Sequence, residues 1–405
     1  MAEVLGTLAG TITAGQRVAT DVASARRKPQ YIAPKTFYVS ANLFPLTQLI
    51  DKLGVKKDVG QAAYNHLEDD EHPNSLTDSG GGVTSSGVTL TVASGHGKRV
   101  KVGSILKVLR TNELIRVTAI STDTLTIVRG IGGTTGAAIN ASEVVAILSH
   151  ADTDGNTAPR SITTEPNIKT NYCQIFRTAV EISGRDMESD NFGEPEWQRC
   201  WDQAMKRHLR EIEQAVLFQN GTLANQSATE PNVTTGLEGY ITTNVTANAG
   251  ADMTEAGWND VLRRWLRRNQ TSDEGSLIFI VGELLNKAIT GFGRDSIRYS
   301  PDDKVFGIAA KKYLAETGQV ITLVRHPLFS PLGSDETAAN TGWQGHGMGL
   351  NMRLIGFANF RNRIKKMQKD IETPGTDGTK SAILDDKGLW LASERQHCLV
   401  TGVAG

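Results

Sequence analysis

Apolar side chains change their spacing several times along the chain, and each change predicts a different kind of element. Leu46, Leu49, Ile50 and Leu53 fall at steps of three and four, which predicts a short helix closed by Gly54. After Gly80-Gly81-Gly82 the spacing drops to two. Val88-Thr89-Leu90-Thr91-Val92 alternates, and short strand-like runs follow at 105–109, 114–120, 124–128 and 144–148. Turn residues separate them, notably Gly130 to Gly136. Short, evenly spaced strands of this kind predict a small closed β module at about residues 98–150.

A strand at 173–183 precedes the longest helical signal. Glu194-Pro195 supplies an acidic cap and a proline for the first turn. Trp197, Cys200, Trp201, Ala204, Met205, Leu209, Ile212, Ala215 and Val216 then recur mostly at three and four residue steps. Arg199, Asp202, Lys206, Arg210 and Glu213 form the opposite stripe, with His208 read as a boundary residue. The pattern predicts one helix over 195–219, a rod of about 36 Å at 1.5 Å per residue, ending at Asn220-Gly221.

Further on, Thr254 caps a helix whose Trp258, Val261, Leu262, Trp265 and Leu266 face inward. Arg263, Arg264, Arg267 and Arg268 make a basic stripe on its other side. A buried strand at 277–281, a helix at 283–290 and a hairpin of 310–314 with 320–324 about Glu316-Thr317-Gly318 follow. Strands at 352–357 and within 388–403 complete an α+β chain.

Charge narrows the functions this pattern can serve. Lys+Arg total 43 and Asp+Glu 44, a net charge of -1, so the chain lacks the basic excess of a protein that grips nucleic acid over its whole surface. With 39% hydrophobic residues it can build cores, yet no apolar run reaches bilayer length. No membrane partner is expected. The N-terminus lacks the basic-then-apolar pattern of a secretory signal, and residues 1 to about 40 hold few large apolar side chains.

Catalytic and metal chemistry find little support. Cys173, Cys200 and Cys398 are far apart, and the eight histidines are dispersed. The acidic cluster Glu68-Asp69-Asp70-Glu71 reads as a solvated face, and Asp385-Asp386 as part of a turn. Gly130-Ile131-Gly132-Gly133 lacks the Lys-Ser/Thr ending of a phosphate loop. No serine elbow or His-Glu-x-x-His helix occurs, so no catalytic, cofactor or metal residue is assigned. The four arginines remain as the candidate inter-subunit or genome-facing group.

The order of local patterns resembles one family. Pro45-Leu46-Thr47-Gln48-Leu49-Ile50 with Lys52-Leu53-Gly54 is similar to the short helix after an N-terminal arm. Glu113-Leu114-Ile115-Arg116-Val117-Thr118 and Leu125-Thr126-Ile127-Val128-Arg129-Gly130 resemble a β insertion upstream of a long helix. Asn171-Tyr172-Cys173-Gln174-Ile175-Phe176 with Val180-Glu181-Ile182-Ser183-Gly184 resembles the strand leading to that helix. His208 to Asn220, with Glu211-Ile212-Glu213, resembles its end, and Gly388-Leu389-Trp390-Leu391 to Gly402-Val403 the closing strands. In this order they resemble the major capsid proteins of tailed bacteriophages, with the Hong Kong 97-type fold.

The resemblance implies an N-terminal arm at 1–42 and the start of a peripheral domain at 43–74. An E-loop region at 75–170 would hold the β insertion. The peripheral domain would resume at 171–225 with the spine helix 195–219, followed by an axial domain at 226–345 and peripheral closing strands at 346–405. It implies a non-enzymatic subunit that assembles in the host bacterial cytoplasm, through pentamers and hexamers, into an icosahedral or prolate shell around double-stranded DNA. Scaffolding, portal and decoration proteins are the implied partners, with the packaged DNA contacted weakly. A tail or decoration protein is the alternative, and a hydrolase or carbohydrate-binding protein a more distant one.

Overall fold

The computed structural model describes residues 45–69, 71–190, 195–221, 231–269, 276–292, 304–305, 308–329 and 342–404. The expected arm at 1–42 lies outside them. The chain divides into two units, one of residues up to Tyr64 together with Thr170 onward, the other of Asn65–Lys169.

The smaller unit is a β-barrel. Its six strands run in the order Ser75–Thr77, Val144–His150, Ser104–Val108, Leu114–Ser121, Thr124–Val128 and Thr89–Thr91. An antiparallel bridge from Asp78 to Val92 joins the two ends of that order. The closed sheet therefore begins upstream of the expected boundary near 98. Four strands from 104–150 alone would leave two open edges, and the earlier strands pair with both. Alternate residues point inward, so Leu76, Leu90, Leu106, Ile115, Val117, Leu125, Ile127 and Val145 fill the interior.

The glycine loop at 130–133 is held by charge. Glu113, fully buried, receives the Arg129 guanidinium through two bonds of 2.7 Å and the N–H groups of Gly130 and Ala137. Burial pushes the Glu113 carboxyl up, but Arg129 and these N–H groups outweigh it and hold it below the usual range.

Two sheets, of five and seven strands, make up most of the described strands of the larger unit. In the first, Val55–Val59, Ile355–Phe360, Gly378–Leu391 and Gln174–Ser183 lie side by side, and Lys366–Gln368 also pairs with Gly378–Leu391. The long helix, Glu196–Phe218, packs on Gln174–Ser183 and Gly378–Leu391. Pro195 is its N-cap. The helix does not end in the left-handed glycine cap expected at Asn220-Gly221; Gln219 turns extended, with φ −74° and ψ 139°, and accepts the N–H of Gly236 instead.

The second sheet has seven strands, in the order Val245–Ala247, Cys398–Thr401, Gly347–Asn351, Leu277–Val281, Val320–Arg325, Ile308–Leu314 and Lys304–Val305. All five residues of Leu277–Val281 are buried, as their unbroken apolar run predicts. Such a strand needs neighbours on both edges, and Gly347–Asn351 supplies one. Gly347–Asn351 and Cys398–Thr401 thus lie in this sheet, while Ile355–Phe360 and Gly378–Leu391 lie in the first, and the strand expected at 352–357 is interrupted by a turn at Met352–Leu354. Helix Glu255–Leu266 buries Trp258 and Trp265 against this sheet, both edge-to-face with Phe279 at 4.9 and 5.7 Å.

Candidate functional site

The long helix carries two polar side chains into the core, and both were expected on its outer or boundary positions. His208 and Glu213 are fully buried. Met205, expected inside, is exposed. The reversal has a physical cause in each case, because each buried polar group meets a complementary partner from a distant part of the chain.

His208 sits between strands Gln174–Ser183 and Gly378–Leu391. Its Nδ1 lies 3.0 Å from Thr178 Oγ1 and its Nε2 3.2 Å from Asp385 Oδ2. Asp385 also accepts the Lys365 N–H, and Lys387 Nζ lies 3.8 Å away. Asp385 and Asp386 are therefore not in a turn. They are mid-strand and buried, with Asp386 paired to Arg363 at 2.9 Å on the other face. Burial pushes the Asp385 carboxyl up, but His208, Lys387 and the Lys365 N–H overcome it and hold it below the usual range. Burial also lowers Lys387, against the pull of Asp385.

Glu213 makes the second junction. It accepts the N–H groups of Leu46 and Thr47, each at 2.7 Å, and the Thr47 hydroxyl. These are first-turn groups of helix Pro45–Leu53, whose N-terminal amides have no partner within the helix. Its fourth donor is His326 Nε2 at 2.7 Å. His326 Nδ1 accepts the Leu328 N–H, so the ring is neutral with its proton on Nε2, and Glu213 is the anion. One side chain thus ties the first helix, the long helix and the turn at 326–329 together.

Thr178, His208 and Asp385 stand in the order of a nucleophile, base and acid. None can meet a substrate, because all three are buried. The cysteines are no more reactive: burial pushes Cys173 and Cys398 each up to about 12. Among the described residues no group of three or more His, Cys, Asp and Glu could hold a metal ion, and no helix is long and apolar enough to cross a membrane.

The exposed features are shallower. An open groove of about 590 Å³ runs between the end of the long helix and the start of strand Gln174–Ser183, where Phe218 stacks on Trp343 at 3.8 Å. Arg263, Arg264, Arg267 and Arg268 are all exposed. Asp260 pairs with Arg263 and lies 3.9 Å from Arg264, which also reaches Thr246 at 2.7 Å. The side chains of Arg267 and Arg268 have no polar partner among the described residues.

The model of the SU10 major capsid protein family matches residues 27–404. No curated protein matches the chain. Among solved structures, a Gordonia phage Cozz chain is similar with a TM-score of 0.50 and 10% identity, over 99% of each chain. The capsid structure of cyanophage P-SCSP1u gives 0.47 and 10%, over 98% of this chain and 100% of that one. An encapsulin of Synechococcus elongatus gives 0.41 and 11%, over 60% and 78%.

Proposed function

Because the chain belongs to the SU10 major capsid protein family, we propose that its copies close through pentamers and hexamers into an icosahedral or prolate shell around phage double-stranded DNA. The family makes it a structural subunit of a capsid, located in the virion, and not an enzyme; the fold is Hong Kong 97-like. In the larger unit, the sheet bearing the long helix serves as the peripheral domain, and the seven-stranded sheet as most of the axial domain. The barrel of Asn65–Lys169 belongs to the E-loop region.

The observation that carries this reading is the braced long helix. Two buried junctions, His208 with Asp385 and Glu213 with Leu46, Thr47 and His326, lock it to its sheet, to the first helix and to the turn at 326–329. A wall element that transmits load between copies needs such rigidity, and charge-assisted bonds fix position more sharply than apolar packing. Near-neutral net charge supports the same reading, because strong like-sign charge would oppose crowding many copies together.

Exposed Arg267 and Arg268 suit an inter-subunit contact with acidic side chains, with DNA contacted weakly. Assembly takes place in the host cytoplasm, with scaffolding, portal and decoration proteins as partners. Expression of the chain with and without the neighbouring virion proteins, followed by sedimentation and negative-stain microscopy, tests the proposal. Closed shells support it; a strictly monomeric chain under all conditions sinks it, and open tubes favour a tail protein.

A further inference from the structure

The sheet under the long helix ends on one side at strand Gln174–Ser183, a ten-residue edge. The register fixes which of its backbone groups are free. Asp386 turns its N–H to Arg363 O at 3.1 Å, away from this strand. Its neighbours Asp385 and Lys387 therefore bond across, to Phe176 and Gln174. By alternation, Ile175, Arg177, Ala179 and Glu181 direct their N–H and C=O groups into the open edge, where no partner occurs among the described residues. Their side chains are exposed as well. A long edge rich in β-branched residues is a template for another strand.

We propose that this edge pairs antiparallel with the same edge of a second copy, about a two-fold axis through Ala179. In that register Arg177 faces Glu181 of the partner subunit, Glu181 faces the partner's Arg177, and Ala179 faces the partner's Ala179. Arg177, Ala179 and Glu181, the residues at the centre of this pairing, are ones whose outward backbone groups are free among the described residues. Slipping by one residue would call on groups already bonded to Gly378–Leu391. Slipping by two would set Arg177 opposite Ala179 or Ser183 of the partner subunit and remove both ion pairs across the join.

Charge complementarity therefore selects one register among those the backbone allows. Lys380, 2.7 Å from Glu181 on the adjoining strand, extends the row, so that signs alternate across the join. The contact is self-complementary, as a two-fold interface requires. It joins the two sheets into one and covers an edge that would otherwise invite indiscriminate pairing. The proposal rests on the shell reading only for the supply of neighbouring copies.

The test uses the full chain. Opposed residues in a hydrogen-bonded antiparallel pair have Cα atoms about 5.5 Å apart, inside the span of about 4.4–6.8 Å that a disulfide bridges. Ala179→Cys is assembled, oxidised and run on a non-reducing gel beside the wild type. Covalent dimers linked through position 179 are expected, and none from the wild type. Separately, Arg177→Glu should lower the fraction of chain in assemblies by about tenfold or more, and adding Glu181→Arg should recover most of it.

Assemblies that form without a 179–179 disulfide overturn the pairing, as does a double variant no better than the single one. If the cysteine variant fails to fold, the charge exchange decides alone. The disulfide assay is run on whatever oligomer the wild-type chain forms, so the pairing stands or falls independently of the shell reading.

Discussion

His208 and Asp385, 177 positions apart in sequence, meet at 3.2 Å between the long helix and its sheet, with both side chains buried. The pair shares its pocket with Lys387, so two opposite charges and a polarisable ring compensate one another where water does not reach. Removing one partner leaves the others unmatched. Asp385→Ala is expected to destabilise the subunit by about 3–5 kcal/mol, the usual cost of stranding a buried charge. The urea midpoint of the unassembled subunit, with an unchanged slope, measures it.

Glu213 caps a helix from another part of the chain. Glu213→Gln keeps the shape but cannot accept all four donors as an anion does. A loss of about 1–3 kcal/mol is expected for the bonds to the charged group. Amide exchange at Leu46 and Thr47 should quicken, while amides of the 104–108 strand in the barrel should stay as they are. Equal acceleration in both units would show that Glu213 acts on the whole fold and not on the first helix.

His397 gives a pH dependence of defined sign. It is fully buried, and burial lowers its folded pKa to about 4, against 6.5 for the free side chain. Between those values the unfolded chain binds a proton that the folded chain does not, so stability falls as pH drops from 6.5 to 4. The full window is worth about 3 kcal/mol at 1.36 kcal/mol per pH unit. Asp385, held below its ordinary range, adds a second loss that begins only at lower pH, near and below its unfolded value of about 3.9. His397→Gln should flatten the first window and leave the second; thermal unfolding followed from pH 7 to 3 checks both.

Arg267 and Arg268 carry exposed charge at the end of helix Glu255–Leu266. Changing both to glutamate should leave the melting temperature of the unassembled subunit within about 3 °C, since exposed substitutions change stability by about 0.5 kcal/mol or less. Assembly yield should fall and lose its dependence on salt. Unchanged assembly together with reduced DNA retention would move these residues from a subunit contact to the genome-facing surface.

The elements that sequence periodicity reveals are those whose burial is apolar. Helix Glu255–Leu266 and strand Leu277–Val281 announce themselves because Trp258, Trp265 and the run Leu-Ile-Phe-Ile-Val are buried by their own chemistry. The residues that brace the long helix are illegible for the opposite reason. Glu213 and His208 look like surface or boundary positions until Leu46, Thr47, His326 and Asp385 arrive from 113 to 177 residues away. Asp385-Asp386 reads as a polar turn because successive charges are rarely buried; here each finds a partner, and Lys387 beside them is buried too.

Barrel closure is hidden in the same way. Ser75–Thr77 is three residues, too short for period two to register; Thr89–Thr91 shows in the alternating run 88–92, but its pairing with Thr124–Val128 and the Asp78 to Val92 bridge that closes the barrel do not. Pairing of strands is a long-range property, and local pattern carries little of it.

Cryo-electron microscopy of particles assembled from the expressed chain is the decisive measurement. Closed shells are expected whose wall repeats one subunit, with helix Glu196–Phe218 traced as a single unbroken rod in every copy. Particles that are single subunits, or a wall in which residues 196–218 break into separate segments, would refute the braced helix as the strut of a capsid wall.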